Sequence, residues 1–263
     1  MLEMFTYDFM VNAFWAGMII AVVAATAGSF MVLRRYAMMS DTLAHVALVG
    51  VAVGIVAHQS TLWMAVIVSV LAAWLIEYLR YVQKIYSDAT MALFLSGSLA
   101  LAVIIVSLAG SFNSTLFSYL FGNILTVSKD DIITITVVGA VAMGAIVLHF
   151  EKLFFVAFDE EVAKTSGIAV GRLNFLLITI VALVVALSLR IVGSLLIGAM
   201  MVIPALTAMQ YRQSFVRTVL LANLFALLSV LLGLSASYIW AIPSGASIVA
   251  AALLFFLLSL LRR

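Results

Sequence analysis

Nine apolar runs, nearly free of charge, take up most of the sequence. They fall at about 10–33, 42–57, 61–79, 89–110, 131–149, 173–189, 191–209, 218–239 and 245–261. A hydrocarbon core about 30 Å thick is crossed by about 20 helical residues, and most of the runs meet that length. Only 9% of the residues are charged, where a soluble domain carries about 25%. No globular surface can be built from such a composition. The sequence therefore predicts an all-α, polytopic helical membrane protein with about 8–9 transmembrane helices. The 42–57 run is short and extends back through Met38. The runs at 173–189 and 191–209 are separated only by Arg190, which predicts a tight turn. No internal repeat, low-complexity tract or linker interrupts the chain, so 1–263 reads as one membrane domain.

Lys and Arg mark the sides. With nine spans and the N-terminus outside, 11 of the 13 basic residues fall on the inner side, and only Lys129 and Arg190 fall outside. The C-terminus is then cytoplasmic. No basic residue precedes Arg34, so the start lacks the basic region of a cleavable signal peptide, and the first run is expected to remain a span. Absence of cysteine excludes disulfides and thiolate metal sites.

Two segments do not read as spans. Residues 111–130 contain an apolar core, Leu116 to Val127, too short to cross; an interfacial helix and a re-entrant cap over the outer mouth are both open. The inner stretch 149–172 contains DEEVAKT, Asp159 to Thr165, with acids at its start and Lys164 near its end, as a short helix prefers. Gly167 then supplies a C-terminal stop. This helix is either a docking element or an ordinary connection.

Asp41 and His45, in MSDTLAHVALVG (39–50), are the ionisable residues that most need explaining. Spacing of four places them on one helix face, a turn apart. A charge at the centre of a span costs about 2.5–3.5 kcal/mol, so an intramembrane pair suggests function. The competing reading is structural: Asp41 and Ser40 cap the helix and His45 bonds a neighbour. If functional, carboxylate oxygen plus imidazole nitrogen suits divalent zinc, manganese or iron. Two ligands do not complete a four-coordinate shell, so water or a second copy of the chain must add the rest. Incomplete ligation is also what passage requires. Gly50 and Gly54 on the same run permit close helix packing. His58 and His149 read as interfacial, Glu77 and Arg80 as an i, i+3 pair, and Asp130 and Asp131 as caps. In 191–208, Gly193, Gly198 and Pro204 suggest a broken or kinked helix, a common feature of transport pathways.

Some activities are excluded. The spans hold neither HExxH nor a pair of membrane aspartates, so an intramembrane hydrolase lacks its catalytic set. No GxxxxGK[ST] loop is present to cradle phosphates. The chain reads as a membrane transport protein, not an enzyme, with no resident cofactor and no nucleic-acid partner.

Four stretches together, 28–54, 158–168, 192–208 and 242–249, resemble the permease subunit of bacterial zinc and manganese ABC importers, and LFGNILTVSKDD (120–131) adds to the likeness. The resemblance implies a multi-pass protein of the bacterial cell membrane, paired as a homodimer. It further implies a cytoplasmic ATPase dimer and an extracytoplasmic metal-binding protein. It implies that Asp41 and His45 lie on the metal path. The coupling segment, 159–172, would meet the ATPase through Asp159, Glu160, Glu161, Ala163 and Gly167. Manganese-type members tend to carry a Pro that Leu48-Val49-Gly50 lacks, which favours zinc as cargo. A stand-alone secondary transporter and a metal-chelate permease are the alternatives; the second should not depend on Asp41 and His45.

Overall fold

The computed structural model of the chain describes residues 8–108, 119–122, 128–189, 191–194 and 196–261. Eleven helices have both ends among them. They are α1 (Asp8–Leu33), α2 (Met38–Val56), α3 (Thr61–Tyr81), α4 (Ser87–Leu108), α5 (Lys129–Leu148), α6 (Phe150–Phe158), α7 (Glu160–Thr165), α8 (Val170–Ser188), α9 (Ile197–Met209), α10 (Phe215–Trp240) and α11 (Ser244–Leu260). α1 to α5, α8 and α10 are long and apolar enough to cross a membrane, and α9 and α11 are shorter apolar helices. Each of the nine apolar runs thus contains a helix, as expected, but the 191–209 run is helical only from Ile197. Most of the predicted interfacial or re-entrant segment, 111–118 and 123–127, lies outside the described residues.

Burial separates the helices. About seven-tenths of α1, α2 and α8 is enclosed by other helices, against less than a third of α4 and α5. The first three form the centre. α4 and α5 carry exposed apolar residues such as Leu101, Ile104, Val137 and Val141, which suits a hydrocarbon surround. Apolar contact drives no association in lipid, so close approach through small residues must do so. Gly50 and Gly54 place α2 directly on α3; a Cβ on Gly50 would fall 2.6 Å from the Ala65 Cα. Polar side chains in the bundle are mostly tied to the preceding turn, as Ser29 Oγ to the Ala25 carbonyl and Thr207 Oγ1 to the Ile203 carbonyl. Thr26 and Asn223 join α1 to α10 at 3.1 Å.

α1 meets α9 most closely at Gly28, where a Cβ would lie 2.1 Å from the Met201 backbone oxygen. Neither backbone can yield without separating the helices. Gly28→Ala is expected to lower the stability of the folded chain by about 1–3 kcal/mol, the usual cost of overpacking. A thermal melt of the detergent-purified protein checks it; an unchanged melting temperature would mean the two helices slide freely.

The structure departs from the sequence reading at 191–209. Instead of one span, residues 191–194 and 196 are non-helical and the helix begins only at Ile197. Gly193 takes φ 85°, and the Ser194 amide donates to the Tyr119 carbonyl at 2.9 Å rather than into a helix. Ser244 Oγ donates to the Ile191 carbonyl at 3.1 Å. Ile191, Val192 and Ser194 are all buried. Non-helical backbone is tolerated at membrane depth where protein encloses it and supplies partners, as 119–122 and the start of α11 do here. α9 has 13 residues and rises only about 20 Å, so its N-terminus lies inside the bundle. Pro204 sits within α9, which runs through it.

Candidate functional site

α2 begins at Met38 with Ala37 as its N-cap, and no side chain caps it. The capping explanation for Asp41 therefore fails on the geometry: Ser40 Oγ bonds the Ala37 carbonyl at 2.9 Å, and Asp41 caps nothing on its own helix. Asp41 lies about 5 Å along α2, and His45 about 6 Å further. Both are half-buried, as are Val49 and Val53, whereas Thr42, Leu43, Ala44, Val46, Ala47 and Leu48 are buried. The four half-buried positions repeat every fourth residue, so they form one accessible stripe along an otherwise enclosed helix.

Asp41 is set against the start of α9. A Cβ on Gly198 would fall 1.7 Å from Asp41 Oδ1 and 2.5 Å from Asp41 Cγ, so the missing side chain of Gly198 is the space the carboxylate occupies. Gly198 belongs to the first turn of α9, whose unpaired N–H groups carry partial positive charge. That field favours a carboxylate there. His45 Nδ1 is buried with no hydrogen-bond partner among the described residues. An unpaired buried nitrogen costs about 1–3 kcal/mol, a cost that a bound cation would remove. Among the described residues no three His, Asp or Glu side chains lie close enough to enclose a metal ion. Asp41 and His45 therefore offer one oxygen and one nitrogen donor, half of a tetrahedral shell.

Gly193 stands at the break before α9, Gly198 in its first turn and Pro204 in its interior. At the other predicted site, Asp159 caps α7 by accepting from the Glu161 and Val162 amides at 3.1 and 3.0 Å. Ala163 is buried, and Gly167 closes the helix at φ 80° with its amide on the Lys164 carbonyl. Glu161 faces outward, while Glu160 turns inward to Arg34 at 3.0 Å. Sequence reasoning missed that inward pairing and the residues around it, Arg34, Tyr36 and Asn174. An Asn inside an apolar run was the available signal. Burial pushes the Tyr36 phenol above its usual pKa, against the opposite pull of Arg80 and Arg34. The Glu77–Arg80 pair forms as the spacing predicts. Asp131 also caps as expected, sharing a capping box with Ser128 at the start of α5.

The ABC 3 transport family model matches residues 6–263. The chain is 34% identical to the manganese import system permease protein ScaB of Streptococcus parasanguinis, over 96% of this chain and 90% of that one. It is 28% identical to the high-affinity zinc uptake system membrane protein ZnuB of Haemophilus influenzae, over 98% of each. The solved structure of PsaBC from Streptococcus pneumoniae in complex with a Fab superposes with TM-score 0.86 at 34% identity, covering 96% of this chain and 91% of that one. The match spans every helix described above, and the chain belongs to the ABC 3 transport family as a multi-pass membrane permease.

Proposed function

We propose that the chain is the membrane subunit of an ATP-driven importer of a divalent transition-metal ion, with zinc as cargo. One observation carries the reading: inside a span, an acid held in the Gly198 gap and an imidazole with an unpaired buried nitrogen lie one turn apart. Those two donors give a dehydrating ion brief partners without trapping it. Their accessible stripe on α2 suits a second copy of the chain, which would complete the shell with its own pair. With the N-terminus outside, α7 lies in the cytoplasm. There Phe158, Val162, Glu161 and Lys164 are exposed for docking on an ATPase. Hydrolysis belongs to that partner, and an extracytoplasmic binding protein delivers the ion. Zinc follows from the missing Pro at 48–50. Manganese is the second reading, favoured by the 34% identity to ScaB.

The test is uptake of radioactive zinc into liposomes holding the complete importer, with unlabelled zinc or manganese in equal excess. Uptake is expected to need ATP and to be blocked more strongly by zinc. Stronger block by manganese would reassign the cargo. Uptake by this chain without its ATPase would overturn the importer reading.

A further inference from the structure

Four separate stretches meet around Glu160, the first residue of α7. Its Oε2 accepts from Arg34 Nη2 at 3.0 Å and has Arg80 Nη1 at 3.7 Å. Arg80 is also held by Glu77 on its own helix, α3. Both guanidiniums lie over the Tyr36 ring, each 4.9 Å from its centroid. Fully buried Asn174 of α8 turns its Nδ2 to Glu160 Oε1 at 3.5 Å. Its Oδ1 has no partner among the described residues.

The arrangement is costly for a mere staple. The Arg34 side chain is 4% exposed while that of Glu160 is 33% exposed, and such a pair contributes little to stability because the guanidinium gives up its hydration for a partner that water still reaches. Glu160 also differs from the other charged residues of this segment: Glu161 and Lys164 of α7, and the capping Asp159, are exposed. Force applied to α7 thus reaches the bundle through Glu160 and the buried Ala163. The receiving end is the short α1–α2 connection, where Tyr36 stands just before the helix that carries Asp41 and His45. One carboxylate oxygen lies within 4 Å of both guanidiniums at once, closer to Arg34, so a small shift of α7 can move its pairing toward Arg80. Coupling between sites needs an element of that kind.

We propose that Glu160 is a positioning residue whose exchange between Arg34 and Arg80 carries movement of α7 to α2, and so to the ion donors. The proposal rests on the reading that α7 docks on the ATPase. It adds to that reading a specific path into the bundle, with Arg34, Tyr36 and Arg80 as its parts.

The experiment uses the complete importer in liposomes and measures zinc uptake and ATP hydrolysis on one preparation. Arg34→Gln, Glu160→Gln and the double variant are compared with the native complex. In each single variant the zinc moved per ATP hydrolysed is expected to fall about tenfold. The double variant should fall no further than either single, because both remove one interaction. A native ratio in the singles, or losses that multiply in the double, overturns the proposal. So does a parallel fall of uptake and hydrolysis, which would make Glu160 an ATPase contact. If Glu160→Gln does not assemble, Arg34→Lys decides in its place, since it keeps the charge and loses the planar fork. A lowered ratio then supports the path and a native one overturns it. A native complex that moves neither zinc nor manganese with ATP defeats the importer reading instead, and no variant is needed to see it.

Discussion

Asp41→Asn is expected to abolish metal uptake in an importer that still assembles. The substitution keeps the shape of the side chain, so the Gly198 gap stays filled. It removes the one anionic donor on the α2 stripe. Groups that merely orient a metal ligand already cost about 10–100-fold in affinity or activity when removed, so loss of a ligand charge is expected to lower uptake by about 100-fold or more. Stability moves the other way or hardly at all. Asp41 makes no cap on α2, and a neutral amide is cheaper than a carboxylate in hydrocarbon. The only structural loss is its attraction to the first turn of α9, worth about 0.3–1 kcal/mol. His45→Ala should behave similarly, since its Nδ1 has no hydrogen bond to give up among the described residues. Radioactive zinc uptake at matched membrane expression measures both. Native uptake in the two variants would place the ion path elsewhere and leave the pair as packing.

Gly198→Ala should give the second large effect, on a residue that binds nothing itself. Its new Cβ would stand 1.7 Å from Asp41 Oδ1, so the carboxylate must swing away from α9. The helix itself does not lose from the change, because Ala is better than Gly by up to about 0.8–1.0 kcal/mol in a helix interior and by less in this first turn. Transport and stability should therefore separate: uptake falls by about tenfold or more while the complex melts close to the native temperature. The loss should show mainly as a raised zinc concentration at half-maximal uptake, since a donor is displaced and not deleted. Unchanged zinc dependence would mean that Asp41 leaves the α9 contact during transport and that Gly198 serves packing alone.

Much of this site was legible in the linear chain. The spacing of Asp41 and His45 put both on one face, and that face proved to be the accessible stripe of α2. The acids and Lys164 around 159–165 predicted a short helix, and Asp159 caps it. These are local effects, settled within one or two helical turns, so residue order carries them. The break before α9 was only half legible. Gly193 and Pro204 both pointed to an interruption, but helix propensity could not say that the backbone leaves the helix at Gly193 and passes intact through Pro204. That choice depends on Tyr119 and Ser244, which supply hydrogen bonds from distant parts of the chain.

The amino-acid sequence by itself determined that the chain is a bundle of apolar helices and, to within a turn or so, where each lies, the start of α9 excepted. Transfer from water to hydrocarbon is a free energy of each segment, and the helix must satisfy its own backbone. Tertiary structure alone decided which helix start receives the Asp41 carboxylate and which guanidiniums Glu160 pairs with. Both outcomes join residues far apart in the chain, and in an apolar surround they follow from how closely small-residue faces pack, a property of helix pairs that no single segment carries.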